Sequence, residues 1–141
     1  MDGYQIAVED NPLTEDIQVL RRNLTEFNLA LTGQRGQSIC VFIRDDEGKI
    51  VGGANGWTAF AWLHTDVLWL REDVRGIGLG TQVLEGVEAE AKGRGCKFAK
   101  LETFSFQAPE FYKKNGYTVF AELDQVAGGH RWYFLKKDLK A

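Results

Sequence analysis

Proline, cysteine, histidine and methionine are all scarce in this chain: two, two, two and one among 141 residues. So few prolines leave long stretches free to form hydrogen-bonded helices and strands. The two cysteines, Cys40 and Cys96, lack metal-ligand spacing and cannot build a disulfide scaffold. Both read as small buried hydrophobes in a reducing compartment, and no metal site is expected. No apolar run approaches ~18 residues, which leaves no candidate for a membrane-spanning helix. No basic block accompanies the net charge of −3, which disfavours nucleic acid as a partner. The opening Met1-Asp2-Gly3-Tyr4 has neither the basic nor the apolar segment of a secretory signal, so the cytoplasm is the expected location. No repeat, low-complexity tract or linker is present either. What remains is a chain 44% hydrophobic and 26% charged, expected to form a single domain over residues 1–141.

Glycine, by contrast, is plentiful, with 16 residues. Three of them, at 76, 78 and 80, mark the stretch around which the rest is arranged. Val67 to Leu70 reads as a buried strand and a polar turn follows it. Arg75 through Gly80 then spell R-x-x-G-x-G, and Val83, Leu84, Val87 and Ala91 recur at helical spacing. Glycines accept positive φ and let a ligand approach the backbone. Amides converging at the start of a helix favour an anion. The physical reading is a phosphate cradle between a strand and a helix. It is not a dinucleotide fingerprint, because Thr81 holds the third glycine position. Nor is it a nucleotide-hydrolase loop, because no G-K-S or G-K-T occurs.

Taken in order, Tyr4 to Val8 reads as a first strand. Asn11 and Pro12 read as cap and first turn of a helix that carries Ile17, Leu20, Leu24, Phe27 and Leu31 and ends at Gly33. Ser38 to Arg44 and Lys49 to Ala54 flank a hairpin turn at Asp45–Gly48. The second of these strands runs on through Trp57 and Phe60, with Gly52, Gly53 and Gly56 loosening it at a bulge. His64 to Leu70 is the next strand, and period two places His64, Asp66, Leu68 and Leu70 on one face. A helix from about Gly80 stops at Gly93-Arg94-Gly95. Lys97 to Phe104 follows as a strand, then a short helix from Ala108 to Asn115 closed by Gly116. Tyr117 to Glu122 and Arg131 to Lys136 close the chain as a strand pair.

A second motif lies in Ala108-Pro109-Glu110-Phe111-Tyr112-Lys113-Lys114-Asn115-Gly116-Tyr117. With the R-x-x-G-x-G loop in its strand–loop–helix setting, it resembles the Gcn5-related N-acetyltransferase (GNAT) superfamily. That family commonly shows A-x-x-F-Y-x-K-x-G-F here. This chain keeps Ala108, Phe111, Tyr112, Lys114 and Gly116, with Tyr117 in place of the last Phe. The resemblance implies an α+β fold with a mixed, mostly antiparallel, splayed central sheet flanked by helices. It implies acetyl-CoA as co-substrate and direct acetyl transfer to a primary amine of a small molecule, such as an antibiotic or polyamine. No acyl-enzyme is expected, since neither cysteine has a convincing base partner.

The same resemblance assigns roles. Arg75, Gly76, Ile77, Gly78, Leu79, Gly80 and Thr81 would hold the pyrophosphate. The backbone of Leu68, Trp69 and Leu70 would hold the pantetheine arm, with an N–H near Leu70 meeting the thioester carbonyl. Tyr112 would protonate the departing sulfur, a task that suits a phenol at neutral pH. Ser105 stands where the family often has Asn, and its hydroxyl would replace part of that contact. An alkylammonium loses its proton only at ~10.4, so a base is needed. His64 is the first candidate by its near-neutral pKa. Asp66 would orient it or act through water, and Glu102 stands third. His130 reads as a solvated loop residue. Trp57, Phe60, Trp62 and Trp69 suit the core, a pocket wall or a homodimer surface. The alternative reading is a non-catalytic acyl-CoA-binding module, against which the presence of Tyr112 weighs.

Overall fold

The most consequential feature of the fold is a place where two neighbouring strands part. A computed structural model describes residues 3–140. Its order is α1 (Thr14–Thr32), β1 (Gln37–Arg44), β2 (Ile50–Ala59), β3 (Trp62–Leu70), α2 (Leu79–Gly93), β4 (Phe98–Phe104), α3 (Pro109–Lys114), β5 (Thr118–Val126) and β6 (His130–Asp138). Where the sequence reads as one domain, the chain clusters into two compact units, residues 1–35 and 36–141.

In the first unit, Tyr4 to Val8 is not a strand: the segment has no regular secondary structure, with Ile6 93% and Val8 98% exposed. A lone short strand has no ladder to join, and its alternation alone cannot create one. The helix begins later than the Asn11-Pro12 signal, with Leu13 as cap and no side-chain capping bond. Its end is as the sequence reads. Gly33 adopts φ 70° and its N–H donates to the Leu29 carbonyl at 2.8 Å, the left-handed stop that glycine permits.

The second unit is a six-stranded sheet in the order β1-β2-β3-β4-β6-β5. Only β3 and β4 run parallel, because α2 forms the crossover that a parallel pair requires. The β1–β2 turn forms as expected: Asp45 Oδ1 accepts from the amides of Glu47 and Lys49, each at 2.9 Å. One face of the sheet carries Ile39, Ala54, Leu63, Ala99, Leu101 and Leu135, packed with Val83, Leu84, Val87 and Ala91 of α2 and Tyr112 of α3. Each fully buried Leu, Ile or Val among them contributes on the order of 1.5–3 kcal/mol. Cys96 belongs to this core, whereas Cys40, expected to be buried, is exposed and accepts from Asn55 Nδ2 at 3.2 Å. The opposite face carries a row of rings, with Trp62 against Phe98 and Phe104 against Trp132, which in turn stacks on Phe134.

The β3–β4 ladder has four rungs, from Trp62↔Phe98 to Thr65↔Leu101, and then stops. Both strands continue, β3 to Leu70 and β4 to Phe104, so the sheet opens as a V between them. A bulge sits at the apex. Gly56 pairs with Thr65 but Asn55 pairs with Val67, leaving Asp66 as the extra residue. The sequence places a bulge on the glycine-rich β2, and β2 has one against β1, where Val51 beside Gly52 is the extra residue; the bulge at the apex falls on β3.

Candidate active site

The cleft that opens at the splay has a volume of about 820 Å³, within the range of small-molecule sites. Thr65 to Leu70 form one wall, Leu101, Glu102 and Thr103 the other. The glycine loop closes one end, and Phe106, Gln107, Ala108, Phe111 and Tyr112 complete it. Most sequence-selected residues therefore converge here: Asp66, Leu68, Trp69, Leu70, Arg75, Gly76, Gly78, Gly80, Thr81 and Tyr112. Ile77 and Leu79 belong to the loop, but their side chains do not line the cleft.

At the loop end the chemistry is main chain. Gly76 and Gly78 take φ of 78° and 88°, and a Cβ built on either meets nothing within 4 Å. Gly80 is glycine for another reason, since its Cβ would lie 3.3 Å from the Phe111 ring. The first bond into α2 runs from the Gln82 amide to the Gly78 carbonyl at 3.2 Å. Among the described residues, none of the amides from Gly76 to Thr81 donates to a backbone carbonyl. A run of free N–H groups at a helix start is what an anion needs. Arg75 does more than the sequence implies. Its Nε donates to the Leu70 carbonyl at 2.7 Å, bracing the loop against the end of β3 while the charge stays at the cleft. A pyrophosphate and a long thiol-bearing arm fit these features: free amides, an adjacent cation and a slot between strand backbones.

Past the ladder's last rung, the backbone groups of β3 that would face β4 have no strand partner. They are available to an extended ligand in the manner of an added strand. Tyr112 stands across from them, 8% exposed. Burial raises its pKa above the usual phenol value, so it stays a protonated donor through the neutral range. Its ring lies edge-on to Phe111 and Tyr117. Among the described residues, no group hydrogen-bonds to its hydroxyl.

The bulge corrects the face expected of His64. With Asp66 inserted, Leu63 and Thr65 share the α2 face with Leu68 and Leu70. His64, Val67 and Trp69 lie on the other face. Period-two counting fails because one unpaired residue reverses the alternation. His64 packs its ring 5.2 Å from Trp57 and does not line the cleft. Desolvation first and then Lys100 lower its pKa, opposed by Asp66 and Glu102. Ser105 also lies off the cleft. Its Oγ accepts from the Arg131 amide at 2.9 Å and is 3.4 Å from His130 Nδ1, so the hydroxyl fastens β4 to β6. The polar turn residue that does line the cleft is Gln107, whose Oε1 accepts from the Phe104 amide at 2.8 Å and from Thr103 Oγ1 at 3.3 Å. Neither Gln107 nor Phe106 is marked in the sequence, since both lie in a turn outside any helix or strand period.

Behind the cleft, Tyr117 Oη donates to Glu88 Oε2 at 2.9 Å and Lys137 Nζ to Glu88 Oε1 at 2.7 Å. This network ties α2, at whose N-terminus the cradle lies, to Tyr117 just past α3, the helix that carries Tyr112, and to β6.

The chain as a whole is similar to proteins of one family. The pattern described as "Acetyltransferase (GNAT) domain" matches residues 37–119. Blasticidin-S acetyltransferase of Streptomyces morookaense is 37% identical over 95 residues, covering 67% of this chain and 70% of that protein. Acetyltransferase Atu2258 of Agrobacterium fabrum is 31% identical over 121 residues, 85% of this chain and 88% of that one. The crystal structure of an acetyltransferase from Bacillus cereus superimposes with TM-score 0.78 at 34% identity, covering 94% and 97% of the two chains. The mixed sheet and its flanking helices are the fold of that group, and the chain belongs to the GNAT acetyltransferase family as an N-acetyltransferase.

Proposed function

We propose that this protein transfers the acetyl group of acetyl-CoA directly to a primary amine of a small molecule. The observation that carries this reading is the set of unengaged amides from Gly76 to Thr81 at the mouth of a cleft that ends on Tyr112. The loop amides and Arg75 take the pyrophosphate, and the opened edge of β3 from Leu68 to Leu70 takes the pantetheine arm. An N–H of that edge polarises the thioester carbonyl and stabilises the oxyanion. The acceptor arrives as its ammonium ion and gives one proton to Asp66, directly or through water. Its nitrogen then attacks the acyl carbon. As the C–N bond forms and the C–S bond breaks, Tyr112 donates its proton to the leaving sulfur. The phenolate regains a proton from the nitrogen, so one amide, one thiol and one net proton are the products. Positioning supplies most of the acceleration.

His64 loses its place as first base because it does not line the cleft, and Asp66, which does, takes the role on the same strand. The likeness to a protein named Blasticidin-S acetyltransferase supports an amine-bearing antibiotic as acceptor, with polyamines the other branch of the same chemistry. Thiol release from acetyl-CoA against an amine panel is the test. Turnover with at least one primary amine is expected. Tight coenzyme A binding with no turnover on any amine would leave a binding module instead.

A further inference from the structure

Among the described residues, the buried polar side chains are Thr58, Thr65, Glu88 and Thr103, and all but one have a partner. Thr58 Oγ1 accepts from Arg94 at 3.1 Å, Glu88 accepts from Tyr117 and Lys137, and Thr103 Oγ1 donates to Gln107 Oε1 at 3.3 Å. Thr65 is the exception. It is 4% exposed, and its Oγ1 is buried with no hydrogen-bond partner among the described residues. A buried hydroxyl left unpaired is costly, and Thr65 lines the cleft, where a ligand can pair it. His64 Nδ1 is also buried and unpaired, but His64 does not line the cleft.

The strand register decides which part of a ligand comes within reach. Thr65 pairs with Leu101 on the last rung of the β3–β4 ladder. It therefore stands at the closed end of the slot, and the glycine loop that follows Leu70 stands at the other. A cofactor held by its pyrophosphate at the loop, with its arm along the freed edge of β3, brings its far end to Thr65. That far end is the thioester. Thr65 also lies on the α2 face of the sheet, as do Leu63, Leu101 and Thr103. Tyr112 packs into the same core, and its hydroxyl likewise has no partner among the described residues. This side of the slot presents two uncommitted hydroxyls, and a thioester has two heteroatoms.

We propose that the Thr65 hydroxyl donates to the thioester carbonyl oxygen, beside the β3 N–H assigned to the same atom. The inference rests on the acetyl-transfer reading, in which Tyr112 serves the sulfur. Thr65 has one O–H to give, and among the described residues nothing competes for it. Negative charge builds on the carbonyl oxygen as the amine attacks, so a bond from a fixed, buried hydroxyl strengthens in the transition state. No bond to Thr65 forms or breaks, and its proton stays with it. Thr65 is thus a further catalytic residue, acting on rate more than on cofactor affinity.

Thr65→Val keeps the shape of the side chain and removes the hydroxyl. With any primary amine that the wild type acetylates, kcat is expected to fall by about 10-fold or more while the KM for acetyl-CoA stays nearly constant. Thr65→Ser restores the O–H and is expected to recover most of the loss. Infrared spectra of bound acetyl-CoA, isotope-labelled at the acyl carbonyl, give a readout that needs no acceptor. The carbonyl stretch is expected at higher frequency in Thr65→Val than in the wild type. An unchanged kcat with an unchanged stretch overturns the proposal. So does a higher melting temperature of Thr65→Val with full activity, because the hydroxyl is then only a packing defect. Coenzyme A titration separates the two claims. A wild type that binds and acetylates, matched by Thr65→Val, sinks the Thr65 role alone. A wild type that binds no coenzyme A sinks the acetyl-transfer reading and the Thr65 role with it.

Discussion

The two ends of the cleft are built from different material. The loop end is main chain, with free amides, positive-φ glycines and one arginine folded back on the Leu70 carbonyl. The apex and the opposite wall are side chains, namely Thr65, Asp66, Glu102 and Tyr112. A backbone site tolerates most changes of side chain but not of φ. A side-chain site tolerates backbone changes poorly and is remade by a single substitution. Binding is therefore expected to fail at one end and chemistry at the other, and each prediction below tests that separation.

The largest effect is expected at Tyr112. Replacing it with Phe removes the proposed proton donor and leaves the ring, which packs against Phe111 and Tyr117. The expected outcome is kcat lowered by about 10²-fold or more, with coenzyme affinity unchanged. Steady-state kinetics and calorimetric titration together check it. Equal losses in both would show that the tyrosine belongs to the binding end. The raised phenol pKa adds a sign: the donor form persists to higher pH than for a free tyrosine, so loss of this proton does not limit the rate near neutrality.

Next is the seam that joins the two ends. Tyr117 and Lys137 both bond Glu88, a carboxylate of α2 only 6% exposed. Burial, then the charge of Glu88, push the Tyr117 phenol far up, so it remains a donor. Tyr117→Phe leaves half of a buried carboxylate unsatisfied and is expected to destabilise the protein by about 2 kcal/mol, as for a hydrogen bond to a charged group. Chemical denaturation measures it. A loss of under ~0.5 kcal/mol would mean that water replaces the phenol.

Legibility in the sequence follows the same division. The loop was readable because Gly76 and Gly78 are required by backbone conformation, and such requirements write themselves into residue type. The helix ends at Gly33 and Gly116 were readable for that reason too. The face of His64 was not. It depends on one unpaired residue, Asp66, and no residue type marks a bulge of this kind. The glycines at 52, 53 and 56 mark the irregularity of β2 at Val51, not the one at Asp66, and they also serve close packing: a Cβ on Gly56 would lie 2.1 Å from the His64 carbonyl. Gln107 was illegible because turn residues follow no period, and Ser105 misled because its hydroxyl is taken by Arg131. The Tyr4–Val8 strand failed for want of a partner.

A smaller effect separates two glycines of the loop. Alanine at Gly78 must adopt φ near 88° with open space before it, which costs about 1 kcal/mol of stability. Alanine at Gly80 has no such conformational demand but must displace the Phe111 ring at 3.3 Å. If the space before Gly78 is where phosphate sits, Gly78→Ala is expected to weaken coenzyme binding by more than it weakens the fold. Gly80→Ala should disturb α3 and with it kcat. Titration and denaturation of the pair decide; equal behaviour would erase the distinction between the loop's two kinds of glycine.

The smallest effect is a pH dependence at His64, and it probes the apex from its far side. The His64 pKa is lowered, first by desolvation and then by Lys100, while Asp66 and Glu102 pull it back. The folded protein therefore holds the imidazole neutral at pH values where the unfolded chain has begun to protonate, near 6.5. The unfolded state binds more protons in that window, so stability is full above 6.5 and declines as pH falls through the folded pKa. Partial exposure keeps the slope shallow. His64→Phe retains a ring against Trp57 and is expected to flatten the decline, seen as a difference in melting temperature between pH 7 and pH 5. Removing one carboxylate sharpens the reading: Glu102→Gln withdraws a charge that favours the imidazolium, so the decline should steepen. If it does not, Glu102 is too far from His64 to stand at the apex, and the two carboxylates are not neighbours across the splay.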